Sequence, residues 1–244
     1  MKRLADYSQN FLRSPQLVGQ LISISKLKST DTVYDIGAGS GIISSALSIK
    51  VKKVVAIEFE ARIAETLKKN VADYPNVEVK VGDFMKMELP NEPYKVFANI
   101  PFHLSSPIVQ RFINTSKAPQ AAYLIVQKQF GRKLIATDTT HFTSQLGMIV
   151  GAEYTVKILK SLKKTDFWPH PAVDTVFIEL IKRTEPLVKK NRLEAYQRYT
   201  EECFSDPKKL AKLPLEVIGA IEGISPSRLS LTQWVILFNS QTIY

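Results

Sequence analysis

The sequence predicts an open α/β fold: a mostly parallel sheet covered by helices, antiparallel at one edge, followed by a small helical domain. Three observations predict it. Short apolar runs alternate with stretches of helical periodicity over the first 127 residues, the rhythm of parallel strands joined by crossover helices. The first of these strands runs straight into three spaced glycines, Gly37, Gly39 and Gly41. After Ile181 the strand-like runs stop and only helix-like stretches follow.

Each element has a local reason. Ser14-Pro15 is an N-cap followed by a first-turn proline, and Leu17, Val18, Leu21 and Ile22 then recur at helical spacing to about Lys26. "TVYDI", 32–36, is a buried strand, and the helix after its glycine turn runs to about Ile49. "KVVAIE", 53–58, is the second strand, with a helix through Ala72. "NVEVKV", 76–81, is the third, stopped by Gly82-Asp83. "YKVFA", 94–98, is the fourth. A helix opens near Ser106-Pro107 and ends near Asn114, and "AAYLIVQ", 121–127, is the fifth strand. Two further β-rich runs, 154–159 and 175–181, flank "KSLKKTDFWPHPAV". That link is too short to need a crossover helix, so an antiparallel pair at one sheet edge is expected. The tail reads as helices over 187–204, 208–213, 215–221 and 231–238, with Trp234 and Cys203 as core residues. A boundary at Arg183 divides the chain into a sheet domain, 1–182, and a helical domain, 183–244.

The composition narrows the function. The 244 residues are 45% hydrophobic, enough for a real core, and carry a formal net charge of +10. Residues 183–244 hold nine Lys and Arg against seven Asp and Glu, so most of the excess lies in the first 182. A basic surface of this kind suits a polyanion, nucleic acid first. Cys203 is the single cysteine, which rules out an intrachain disulfide and suits a reducing compartment. "MKRLADYSQNF" has no apolar run behind its basic residues, and no apolar run reaches membrane-spanning length. A cytoplasmic monomer with no membrane partner is expected. The three histidines are scattered, so no metal site is expected.

In an open α/β sheet ligands bind beyond the carboxyl ends of the strands. Four strands in succession end there in glycines or polar groups: Asp35 and Gly37 to Gly41, Glu58, Asp83, and Asn99 to Phe102. Gly37 and Gly39 let backbone approach a ligand, and a carboxylate at Glu58 can accept from ribose hydroxyls. The glycine spacing departs from the dinucleotide fingerprint, because the third glycine comes one residue early and Ile42 stands in its place. With acids at three strand ends, a cationic cofactor fits better than a pyrophosphate, and S-adenosylmethionine is such a cofactor. Asp83 could accept from the adenine amino group, with Phe84 as a wall beside the ring.

The stretch Asn99-Ile100-Pro101-Phe102 resembles the catalytic motif of adenine-N6 methyltransferases. An exocyclic purine amine is a poor nucleophile, since its lone pair is delocalised into the ring. The Asn99 side-chain oxygen can accept one of its hydrogens and the Ile100 carbonyl the other, which favours a pyramidal nitrogen. Pro101 biases Ile100 to an extended backbone, and Phe102 can stack on the base. With this motif the chain resembles the ribosomal RNA adenine dimethyltransferases along nearly its whole length. The resemblance implies a Rossmann-like class I methyltransferase sheet. "SQNFL", 8–12, is similar to the family's N-terminal signature and places Asn10 and Leu12 against the cofactor. "DIGAGSGIIS" is similar to its glycine loop. "QKQFGRKL", 127–134, and "FWPHPAVDT", 167–175, are similar to two more blocks, the second implying Phe167 as the aromatic on the far side of the target base. Phe102, His103 and Gln129 stand where Tyr, Asn and an acid are common in the family.

The family has two branches. The Erm type methylates 23S rRNA and confers macrolide–lincosamide–streptogramin B resistance; the other is the 16S rRNA dimethyladenosine transferase of ribosome biogenesis. Ser8, the short tail and the ending "LTQWVILFNS" resemble the Erm type, which is the expectation. The resemblance makes ribosomal RNA the partner. A paired adenine could not reach the site and must be looped out. Arg111, Lys128, Arg132, Lys133, Lys160, Lys163 and Lys164, with Lys2 and Arg3, are the candidate phosphate contacts. Two other classes stay open: a nicotinamide-dependent oxidoreductase, disfavoured by the glycine spacing, and a non-catalytic RNA-binding assembly factor, disfavoured by the intact Asn99–Phe102 stretch.

Overall fold

The computed structural model describes residues 10–136, 143–220 and 223–241. Lys2, Arg3, Ser8 and His141 lie outside the described residues. Among the described residues, seven strands form one sheet in the order β4-β3-β2-β5-β6-β9-β7. They are β2 (Thr32–Ile36), β3 (Lys53–Glu58), β4 (Val77–Val81), β5 (Lys95–Asn99), β6 (Ala121–Gln127), β7 (Tyr154–Leu162) and β9 (Thr175–Lys182). The pairs β2–β3, β2–β5, β3–β4 and β5–β6 are parallel and β6–β9 is antiparallel. The order reverses between β2 and β5, so the carboxyl ends of β2 and β5 open a crevice. Helices α1 (Pro15–Ile24), α2 (Ile42–Ser48), α3 (Ala61–Asn70) and α4 (Ser105–Ile113) supply the cover. Ser14 caps α1 as the sequence indicates, its Oγ accepting from the Leu17 N–H at 3.2 Å.

Two features were not legible. A two-stranded antiparallel ribbon joins β1 (Phe11–Leu12) to β8 (Phe167–Trp168), pairing Phe11 with Trp168 and Leu12 with Phe167. Strands of two residues carry no alternation to read. Helices α5 (Lys128–Leu134) and α6 (Gln145–Glu153) also escaped. In α6 every residue from Gly147 to Glu153 is buried, so no polar face marks the helical period.

The chain packs as two compact units. Among the described residues, the first takes those up to Gly131 together with Lys157–Ile181, and the second takes Arg132–Val156 with those from Lys182 onward. This differs from a single cut at Arg183: α6 joins the tail helices, because its apolar surface packs there. The second unit holds α7 (Leu193–Ser205), α8 (Pro207–Leu210) and α9 (Leu231–Ser240). Its core gathers Met148, Tyr196, Leu229, Trp234 and Leu237. The expected tail helices over 187–204 and 215–221 form later or tighter, as α7 and as a 3₁₀ turn over Leu215–Ile218.

Candidate active site at the ends of β2, β3 and β5

The site begins at the turn after β2. Gly37, Gly39 and Gly41 all have positive φ, +72°, +57° and +96°, where a side chain would be strained. The Gly37 and Ala38 N–H groups donate to the Ile57 carbonyl at 2.9 Å. This ties the turn across β3. Glu58 at the end of β3 is buried and braces the turn from below. Its Oε2 accepts from Gly39 N–H at 2.8 Å and its Oε1 from Glu60 N–H at 3.0 Å. Each carboxylate oxygen keeps a lone pair for a further donor. Beneath the turn Asp35 is fully buried, its Oδ2 accepting from Ser44 Oγ at 2.6 Å while Oδ1 has no partner. Burial, with a smaller contribution from the Glu58 charge, pushes its carboxyl up to about 7.

Two cavities open around this turn, both walled by Gly37 and Pro101. One, of about 250 Å³, is lined by Glu58, Asp83, Phe84, Met85 and His103 among others. The other, of about 40 Å³, runs between Asn10, Phe11 and Leu12 on one side and Asn99 to Phe102 on the other, with Gly39 at its floor. The glycine turn and the Asn99 corner therefore share one crevice. Among the described residues no Lys or Arg lines either cavity, while Glu58 and Asp83 line the larger one. Two carboxylates, an aromatic ring and a turn that excludes side chains suit a cationic, adenosine-bearing cofactor.

The Asn99 corner is held from the N-terminal segment. Asn99 Nδ2 donates to the Asn10 carbonyl at 2.7 Å. A carbonyl can only accept, so the amide's orientation is settled and Oδ1 stands at its other end. Pro101 has φ −55° and ψ 131°, and the Leu104 N–H returns to the Pro101 carbonyl at 2.9 Å, turning the chain into the 3₁₀ stretch Phe102–Leu104. Ile100 is buried and anchors the corner, while Phe102 is half-buried.

Two expected residues take other roles. Phe167 is 0% exposed and packs in the apolar core with Leu12, and it lines neither cavity. In this packing its ring is covered and does not reach the crevice, unlike the placement against the target base that the resemblance implies. The ribbon explains this: paired residues share a face, and Leu12 and Phe167 face inward while Phe11 and Trp168 face out. Arg111 is not free for phosphate. Its guanidinium donates to the Met85 and Met87 carbonyls and lies 5.1 Å from the Phe84 ring centre. It holds the loop that carries Asp83 and Phe84. Lys128 sits 3.4 Å from Asp174, and Lys164 donates to the Ala172 carbonyl at 2.8 Å. Arg132, Lys133, Lys160 and Lys163 are exposed. Phe11 and Met85 were missed as lining residues; for Phe11, the aromatic beside Asn10 was the available signal.

A glycine turn, a buried acid ending β3 and an Asn-Ile-Pro-Phe corner at the carboxyl edge of this sheet go with a class I methyltransferase fold. The pattern of the ribosomal RNA adenine dimethylase family matches residues 2–214, and the chain belongs to that family. It is thus an S-adenosylmethionine-dependent rRNA adenine methyltransferase. A probable ribosomal RNA small subunit methyltransferase A of Thermococcus kodakarensis is 30% identical over 223 residues, 91% of this chain and 77% of the relative. An rRNA adenine N-6-methyltransferase of Lysinibacillus sphaericus is 28% identical over 246 residues, covering 97% and 96%. The crystal structure of the 23S rRNA methyltransferase ErmE superposes with a TM-score of 0.82 at 26% identity, covering 94% of this chain and 98% of that one. Among the described residues no helix is long and apolar enough to cross a membrane, and no cluster of His, Cys, Asp or Glu could hold a metal ion.

Proposed function

We propose that the chain transfers methyl groups to N6 of a looped-out adenine in 23S rRNA, as an Erm-type enzyme, and that its first unit carries the chemistry. The observation that carries the reaction is the shared crevice: Asn99 to Phe102 and the turn at Gly37 to Gly39 line one cavity. Asn10, Leu12, Gly37, Gly39, Glu58, Asp83 and Phe84 would hold S-adenosylmethionine, which when bound supplies an electrophilic methyl on a sulfonium. Asn99 Oδ1 and the Ile100 carbonyl accept the two N6 hydrogens, and Phe102 covers the base. Fixing the Asn99 amide through Asn10 pre-pays the orientation of that oxygen, so the rate gain is one of positioning and electrostatics. Arg132, Lys133, Lys160 and Lys163 are the exposed cations left for phosphates.

Structural likeness supports the 23S target: the 23S rRNA methyltransferase ErmE superposes with a TM-score of 0.82 at 26% identity. The second reading, a 16S rRNA dimethyladenosine transferase, is supported by the small-subunit methyltransferases of three Thermococcus species, 30–33% identical to this chain. Primer extension on rRNA from cells expressing the chain decides between them. A new stop in the peptidyl-transferase loop of 23S rRNA is expected; a stop near the 16S 3′ end would reverse the target, and neither a stop nor N6-methyladenine at either place by mass spectrometry of the rRNA would refute the activity.

A further inference from the structure

We propose that Trp168, with Arg13 beside it, forms a stacking subsite for an unpaired nucleotide flanking the target adenine. The inference rests on the RNA methyltransferase reading above and adds a contact outside the reaction cavity. Trp168 is 62% exposed and its ribbon partner Phe11 is 40% exposed, an unusual outlay of aromatic surface for one pair of positions. Being directly opposite in an antiparallel ribbon, the two side chains stand on one face about 5 Å apart.

Phe11 reaches the reaction site: it lines the cavity with Asn99 and Phe102, and a Cβ on Gly39 would lie 3.2 Å from its ring. Trp168 lines neither cavity. The aromatic surface therefore starts inside the crevice and continues past its mouth, where the next nucleotide of a looped-out strand must pass. The charge around it is of the right sign. The Arg13 guanidinium lies 6.0 Å from the Trp168 ring centre, and the exposed Lys163 and Lys164 begin the turn that delivers Trp168. The backbone fixes this arrangement, with Arg13 N–H donating to the Asp166 carbonyl at 3.0 Å. The His170 ring meets Trp168 edge to face at 5.7 Å and bonds through Nδ1 to the Lys164 and Phe167 carbonyls, both at 2.9 Å. With 62% of its surface exposed, Trp168 offers area for a nucleobase, the partner that aromatic-plus-basic surfaces take in single strands.

The test uses the full chain with two RNA hairpins, one from the 23S peptidyl-transferase loop and one from the 16S 3′ end, and follows whichever the wild type methylates. Trp168→Ala is expected to raise KM for that RNA roughly 5- to 150-fold, with kcat at saturating RNA and the Kd for S-adenosylmethionine within twofold of wild type. Trp168→Phe should recover most of the loss. Binding should also quench indole fluorescence, since Trp234 is fully buried and Trp168 is the tryptophan that RNA can touch; the quench should vanish in Trp168→Phe. A KM within twofold of wild type for Trp168→Ala, or no quench on binding, overturns the subsite and leaves the methyltransferase reading standing. If neither hairpin is methylated by the wild type, that reading fails and the subsite with it.

Discussion

Arg111→Met separates cofactor binding from RNA binding. The guanidinium holds the Met85 and Met87 carbonyls and covers the Phe84 ring; methionine keeps an apolar stem there and removes both donors. Two charged-donor hydrogen bonds are worth about 1.5–3 kcal/mol each and the ring contact about 0.5–1 kcal/mol. Against them stands the buried Nε, which has no partner and costs about 1–3 kcal/mol. The net is near 3 kcal/mol. If half of that is loop order that a bound donor otherwise finds ready made, the Kd for S-adenosylmethionine weakens roughly tenfold. Isothermal titration with the cofactor measures it, and KM for RNA at saturating cofactor should stay within twofold. A variant with unchanged cofactor affinity and a raised RNA KM would refute the reasoning and return Arg111 to the phosphate contacts.

Three further outcomes are expected. Asn99→Ala should lower methyl transfer roughly 100- to 1000-fold while the cofactor Kd, read by the same titration, moves little; retained turnover would remove Asn99 from the chemistry. Asp35 holds its proton up to about pH 7 in the fold against 3.8 when free, so its contribution to stability is full below about pH 4 and is lost as pH rises through 7. In urea unfolding, the stability of wild type minus that of Asp35→Asn should therefore fall from pH 5 to pH 7, by at most about 1.4 kcal/mol per pH unit; a flat difference would count against the raised value. Gly41→Ala places a Cβ 2.7 Å from Leu67 Cδ1 at φ +96°, and thermal unfolding should show a loss of roughly 2–4 kcal/mol.

Strands 32–36, 53–58 and 121–127 could be read to the residue because each is an apolar run stopped by an abrupt change of chemistry, and strand ends are where this fold keeps its ligands. Glu58, Asp83 and Asn99 were legible for that reason: their positions follow from local chain direction alone. Tertiary packing decided what local pattern could not. Phe167 and Trp168 are adjacent aromatics, and only the pairing of their ribbon with Phe11–Leu12 sends one into the core and the other to solvent. Arg111 is a basic residue on an amphipathic helix, and nothing near it in sequence shows that its charge is spent on the carbonyls of Met85 and Met87, some two dozen residues earlier. Helix α6, apolar on every side, has no face to declare until its partners surround it. Backbone direction and turn chemistry are short-range and so are written in the sequence; which of two neighbouring side chains is covered depends on residues far along the chain, and there only the folded structure decides.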